Sequence, residues 1–132
     1  MTVYFCLDDR GGLLFGGRRQ SRDAVLLKDL AAQLPGVLTI DPFSEKLIAA
    51  SGIPYVLSDE SIGSDAHFFL ENRKPEEMLP LAEKAVIYRW NRYYPSDVRW
   101  EGTPAEYGFT LAETVEFPGK SHERITKEVY VK

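Results

Sequence analysis

The segment 67–100 constrains the fold more than any other part of the chain. It begins with the apolar run 67–70, continues with a short helix in which Asn72 is the predicted cap and Pro75 lies in the first turn, and ends with the long aromatic run 85–90 and a turn. A strand, a helix and a second strand in this order are typical of parallel strands joined by a crossover helix. The run 85–90 is predicted to be a central strand, because it is long and apolar.

The remaining segments continue this alternation of strands and helices. The other predicted strands are 2–7, 13–15, 37–40, 54–57, 109–117 and 124–131, the other predicted helices are 23–34 and 44–50, and the polar segment 58–65 follows the strand 54–57. Ser21 or Asp23 is expected to cap the first helix, and Pro118 and Gly119 turn between the last two strands. The pattern predicts one α/β domain over residues 1–132: a mostly parallel, twisted sheet with helices on both faces and an antiparallel C-terminal hairpin.

Size and charge exclude some functions. A chain of 132 residues is long enough for one core and too short for two. Its 16 basic and 20 acidic side chains give a net charge of −4. This charge argues against general nucleic-acid binding, which requires an excess of cationic side chains on one face.

Cysteine and histidine usage predicts neither a disulfide nor a metal site. Cys6 is the only cysteine, so an intrachain disulfide is excluded, and its apolar surroundings predict a buried structural thiol. His67 and His122 are the only histidines, and they fall in unrelated segments. His122 lies in the polar tip between the last two predicted strands, where a solvated side chain is expected. No signal peptide and no apolar run of about 18 residues is present, so a soluble cytoplasmic protein without membrane contact is expected.

Several segments resemble those of dihydrofolate reductases, in the same order. Residues 23–28 resemble the start of the family's first helix, residues 80–90 its PLADRLYLT segment, residues 94–97 its FPGDT segment, and residues 113–117 and 128–130 its last two strands. The resemblance covers nearly the whole chain and implies a dihydrofolate reductase-like fold. The family carries its catalytic acid at the start of the first helix, so the resemblance implies Asp23 as the proton donor.

The chain departs from the family where the family binds its ligands. Residues 70–73, which include Glu71 and Asn72, replace the glycine pair that lets the backbone approach the cofactor pyrophosphate. Residues 41–44 replace the family's GRKT, and residues 49–54 lack the arginine that clamps folate. Residues 18–22 fill the loop that carries the family's tryptophan. No cofactor is therefore expected; NADP is disfavoured but left open.

A cationic cluster before the first predicted helix is the candidate ligand site. Arg18, Arg19 and Arg22 are joined there by Gln20 and Ser21. Together with the backbone donors of the helix N-terminus they could bind a phosphate or carboxylate group. The alternative, left open, is a solvated loop whose arginines pair with nearby aspartates (Asp8, Asp9 and Asp23).

Arg89 lies in the predicted central strand and needs a partner there. Glu71 and Asp41 are the candidates, and such an ion pair would fill the cleft that holds the cofactor in the family. The alternative is a ligand site formed by Glu71, Asn72 and Arg89.

Three functional hypotheses follow, and whether the protein is an enzyme is left open. The leading one is a divergent dihydrofolate reductase-like protein that does not reduce folate and binds a small anionic ligand. The second is an NADPH-dependent reductase of a pteridine-like heterocycle, with Asp23 as proton donor. The third is a protein-interaction module or homodimer that uses exposed aromatic side chains, with Trp90, Tyr93, Tyr94 and Trp100 as candidates.

Overall fold

The computed structural model describes residues 1–59 and 62–132, so two positions of the predicted polar segment 58–65 lie outside the described residues. The strands are β1 (Thr2–Leu7), β2 (Gly12–Phe15), β3 (Arg18–Arg19), β4 (Leu38–Ile40), β5 (Tyr55–Leu57), β6 (His67–Phe69), β7 (Lys84–Arg89), β8 (Val98–Arg99), β9 (Thr110–Phe117) and β10 (Ile125–Val131). The α-helices are α1 (Ala24–Ala32), α2 (Glu45–Ala50) and α3 (Pro75–Met78), and 3-10 turns cover Pro42–Ser44, Leu79–Leu81 and Pro104–Tyr107.

The main sheet has seven strands in the order β5-β4-β6-β1-β7-β10-β9. The five strands from β5 to β7 run parallel to one another. β10 is antiparallel to β7 and to β9, and β9 and β10 form the C-terminal hairpin. The predicted fold class is therefore confirmed, including the central position of the strand after the short helix.

Apolar side chains cover the main sheet on both faces. Along β1, Val3, Phe5 and Leu7 point to one face and Tyr4 to the other, as the two-residue period of a strand requires. Helices α1 and α2 pack on the Tyr4 face. The opposite face is covered by α3, by β2 and by Trp100. Two buried faces explain why the parallel strands read as continuous apolar runs.

The helix before β7 begins later than predicted. Its N-cap is Lys74, not Asn72, and Pro75 occupies the first turn. The residue before a proline is sterically pushed towards extended backbone, and Lys74 has φ −82° and ψ 130°. The cap prediction for Asn72 was therefore wrong, because the proline sets where the helix starts.

A second sheet of three strands, in the order β3-β2-β8, was not predicted. The strands β3 and β8 contain two residues each, too few to show a period of two. Pairing of Arg19 with Leu14 turns the chain back towards the main sheet. This pairing places the following residues, Ser21 to Asp23, against the C-terminal ends of β1, β6 and β7.

Candidate functional site

Asp23 lies at the start of α1 and caps it. Its extended backbone lets the side chain accept hydrogen bonds from the backbone N–H groups of Val25 (2.9 Å) and Leu26 (3.3 Å). The cap predicted at Asp23 is confirmed. Because Asp23 uses these two donors, they are not free to bind a ligand at this helix end.

The turn between β9 and β10 wraps around the same carboxylate. The backbone N–H groups of Lys120 and Ser121 donate to Asp23 at 3.0 and 2.9 Å, and Nδ1 of His122 lies 2.9 Å from its Oδ2. Burial acts to raise the pKa of Asp23, but these hydrogen bonds outweigh it and hold the pKa well below its usual value. Asp23 is thus a hydrogen-bond acceptor at neutral pH, whereas a proton donor needs a raised pKa.

His122 is buried beside Asp23, with 5% of its surface exposed. Sequence reasoning interpreted it as a solvated loop histidine, which was wrong. Its ring stacks on Trp90 with centroids 4.5 Å apart, and its Nε2 lies 2.7 Å from the Tyr94 hydroxyl and 3.2 Å from Ser21 Oγ. Since the Asp23 carboxylate can only accept, Nδ1 of the neutral ring carries the proton, and the single lone pair of Nε2 accepts from the hydroxyl of either Tyr94 or Ser21.

The predicted ligand residue Arg19 forms an internal ion pair. Its Nε and one terminal nitrogen donate to the two carboxylate oxygens of Glu71 at 2.8 and 2.9 Å, and Ser44 Oγ donates to the same carboxylate at 2.7 Å. None of the aspartates proposed as partners of the arginine cluster (Asp8, Asp9 and Asp23) takes part in this ion pair. The forked pair instead neutralises Glu71, the acidic residue that stands where the family has its glycine pair.

Arg73 and Arg89 form two further ion pairs. Arg73 donates two hydrogen bonds to Asp41, at 2.7 and 2.8 Å. Arg89 donates to Glu128 of β10 at 2.8 Å. The partners predicted for Arg89, Glu71 and Asp41, were therefore wrong: β10 lies beside β7 in the sheet, and it brings Glu128 within reach. Asn72 is exposed.

The cleft at the C-terminal ends of the parallel strands is small. A cavity of about 30 Å³ remains between Cys6, Asp23, Glu71 and Trp90. Its volume is roughly that of one or two water molecules and far below the ~300 Å³ at which ligand pockets begin. Burial raises the pKa of the Cys6 thiol, so it is protonated at neutral pH.

An open groove lies beside this cleft and has a volume of about 720 Å³. Its lining residues are Gly17, Arg18, Arg19, Ser21, Arg22, Phe43 and Ser121. Arg18 and Arg22 are exposed, and neither forms an ion pair within residues 1–59 and 62–132. The groove is therefore a cationic surface whose two exposed guanidinium groups are not neutralised by any described carboxylate.

The four candidate aromatic residues do not form one exposed surface. Trp90 and Trp100 are each 4% exposed and belong to the two cores. Tyr94 is half-buried and bonded to His122. Only Tyr93 is exposed, and the Arg10 guanidinium lies 4.3 Å from its ring centroid.

The part of the chain that the structure describes contains neither a helix that could span a membrane nor a candidate metal site. None of the helices there combines the length and the apolar character that a membrane span requires. The same residues contain no group of three or more His, Cys, Asp or Glu side chains that could hold a metal ion.

The whole fold is similar to that of dihydrofolate reductase from Enterococcus faecalis, solved as a complex with NADP(H) and RAB-propyl. The two chains superpose with a TM-score of 0.66 and 10% sequence identity, over 98% of this chain and 94% of that one. The protein thus has a dihydrofolate reductase-like α/β fold, as the sequence resemblance implies. An identity of 10% shows the fold alone. No protein-family model matches the sequence, and none of the curated proteins does.

Proposed function

We propose that this protein binds a small anionic ligand in the open groove and does not reduce folate. The observation that carries the proposal is the pair of exposed arginines, Arg18 and Arg22, which line a groove of about 720 Å³ and lack an ion-pair partner within the described residues. A guanidinium presents a fork of donors that matches a phosphate or carboxylate group. The hydroxyls of Ser21 and Ser121 line the same groove and add neutral donors.

The local charge supports an anion in a protein that is acidic overall. The net charge of the chain is −4, but three of the seven groove-lining residues are arginines. Only Arg19 is neutralised, by Glu71. The volume also lies within the range of small-molecule sites, about 300–1,000 Å³.

The small volume of the cleft supports the proposal that the protein does not reduce folate. A cavity of about 30 Å³ does not admit a pteridine ring. By the sequence resemblance, Glu71 and Asp41 replace residues that hold cofactor phosphates in the family, and each is bound by an arginine of this chain. The alternative of a reductase with Asp23 as proton donor would require both a larger cleft and a raised Asp23 pKa.

A thermal-shift titration tests this proposal. The ligands are inorganic phosphate, glucose 6-phosphate, succinate, NADPH and dihydrofolate. A ligand at ten times its Kd stabilises the native state by about 1.4 kcal/mol, which raises the midpoint by a few degrees. We expect a shift with at least one small anion, its loss in the Arg18→Gln, Arg22→Gln double variant, and no shift with NADPH or dihydrofolate.

The matched control is the Arg99→Gln, Arg124→Gln double variant. It removes the same charge from two exposed arginines outside the groove. Equal loss of the anion-induced shift in both double variants would show that only overall charge matters, and would refute the groove. A shift with NADPH that persists in the Arg18→Gln, Arg22→Gln double variant would refute the loss of the cofactor site.

A further inference from the structure

Ser21, His122 and Asp23 come from distant parts of the chain and meet beside the groove. Asp23 Oδ2 lies 2.9 Å from His122 Nδ1, across 99 residues of sequence, and His122 Nε2 lies 3.2 Å from Ser21 Oγ. We propose that these three residues form a hydrolytic triad that cleaves a small carboxylic ester bearing an anionic group. Ser21 is the nucleophile, His122 the general base, and Asp23 a positioning residue.

The geometry meets the requirements for activating a serine. A nucleophile must lie within hydrogen-bond reach of a base, and a third group must orient that base. The Asp23 carboxylate is itself held by the N–H groups of Lys120 and Ser121, and stacking on Trp90 fixes the plane of the imidazole ring. Burial with several backbone donors keeps Asp23 ionised, so it stabilises the imidazolium that forms when His122 takes a proton.

Access to the triad is from the groove. Ser21 is half-buried and lines both the open groove and the small cavity beside it. An ester whose carboxylate or phosphate is bound by Arg18 and Arg22 would lie in the same groove as the Ser21 hydroxyl. This choice of an anionic ester rests on the function proposed above, whereas the reactivity of Ser21 does not.

Tyr94 competes with Ser21 for the base. The Tyr94 hydroxyl lies 2.7 Å from His122 Nε2 and 3.3 Å from Ser21 Oγ. Nε2 of the neutral ring offers one lone pair, so it accepts from only one of the two hydroxyls. The Tyr94→Phe variant removes the competitor and leaves Ser21 as the partner of Nε2.

The reaction proceeds in two balanced steps. Ser21 Oγ forms a bond to the ester carbonyl carbon while its proton passes to His122 Nε2. The bond from that carbon to the alcohol oxygen then breaks, and His122 returns the proton to the leaving alcohol. In the second step water attacks the acyl-Ser21 carbon while His122 Nε2 takes a proton from the water. The bond from that carbon to Ser21 Oγ then breaks, His122 returns the proton to Ser21 Oγ, and the carboxylic acid is released.

An uncharged alkyl fluorophosphonate tests Ser21 independently of the anion site. The probe forms a Ser21 Oγ–P bond, fluoride leaves, and the serine proton passes to His122. We expect one adduct on Ser21 by peptide mass spectrometry and none on that peptide in Ser21→Ala. In His122→Gln the labelling rate should fall about 100-fold, the lower range for loss of a general base. In Tyr94→Phe it should stay the same or rise.

Four outcomes would overturn the triad. They are no adduct on the folded wild-type protein, an adduct at another residue only, an unchanged rate in folded His122→Gln, or a fall of tenfold or more in folded Tyr94→Phe. The last outcome keeps the test decisive even where His122→Gln fails to fold, because it would make Tyr94 the activating group.

Two ester substrates separate this proposal from the anion site. They are mono-4-nitrophenyl succinate, which carries a carboxylate, and the uncharged 4-nitrophenyl butyrate. Relative to wild type, Arg18→Gln with Arg22→Gln should lower the ratio of kcat/KM for the succinate to kcat/KM for the butyrate about tenfold. One outcome would keep the triad and refute the anionic substrate. In it, Ser21→Ala lowers the turnover of both esters equally, but the Arg18→Gln, Arg22→Gln variant does not affect the succinate more than the butyrate.

Discussion

Removal of the Asp23 carboxylate should destabilise the protein more than removal of an ordinary surface aspartate. The side chain caps α1, which is worth about 1 kcal/mol. It also accepts from the N–H groups of Lys120 and Ser121, in part-buried hydrogen bonds, and from the buried His122. A fully buried donor left without a partner costs roughly 1–3 kcal/mol, and a part-buried one costs less. We expect Asp23→Ala to lower the free energy of unfolding by about 4 kcal/mol, measured by urea denaturation. The control, Asp97→Ala, removes an exposed carboxylate that accepts one bond from Gly16, and it should cost less than about 1 kcal/mol.

The lowered pKa of Asp23 also predicts how the stability of the folded protein depends on pH. The pKa of Asp23 is lower in the folded protein than the value of about 3.9 of the unfolded chain. The stability that its ionised form contributes is therefore complete above about pH 5 and is lost as the pH falls below about 4. The stability difference between wild type and Asp23→Asn should be largest near neutral pH and shrink in acid. A cost below 1 kcal/mol for Asp23→Ala, or a wild-type advantage that grows as the pH falls, would refute this description of the site.

Two further substitutions test the surroundings of the site. Glu71→Gln should lower the free energy of unfolding by about 2 kcal/mol in urea, because the guanidinium of Arg19 then lacks its partly buried counter-charge; an unchanged midpoint would contradict this. Gly119→Ala should cost about 1–3 kcal/mol, because the new Cβ would lie 2.6 Å from Asp23 Oδ2, whereas the control Gly36→Ala meets no atom within 4 Å and should be nearly neutral. Equal midpoints for the two alanine variants in a thermal scan would show that the turn does not pack on the carboxylate.

The regular elements were predictable because their signals are local. The apolar runs that correspond to β1 and β7 predict strands buried on both faces. Asp23 before an apolar helical pattern predicts a capped helix. The closing hairpin followed from two alternating runs and the Pro118 turn. The resemblance to dihydrofolate reductases added the topology, which local patterns do not specify.

The partners of the charged residues were not predictable, because they depend on strand order. Arg89 forms an ion pair with Glu128 because β10 lies beside β7 in the sheet. Arg19 forms an ion pair with Glu71 because the short strand β3 turns the chain back over the sheet. A two-residue strand carries no pattern that a sequence can show. The Arg19–Glu71 pair lines the small cavity at the C-terminal ends of the parallel strands.

The amino-acid sequence by itself determined the fold class and the absence of the family's ligand-binding motifs, because apolar periodicity and side-chain chemistry are properties of single segments. Only the tertiary structure decided that His122 is buried, since a lone histidine in a polar turn looks solvated until the hairpin folds over α1. The Asp23–His122–Ser21 arrangement spans about one hundred residues of sequence and exists only because the β9–β10 turn packs on the helix cap. Long-range packing therefore determines where the chemically useful groups of this protein meet.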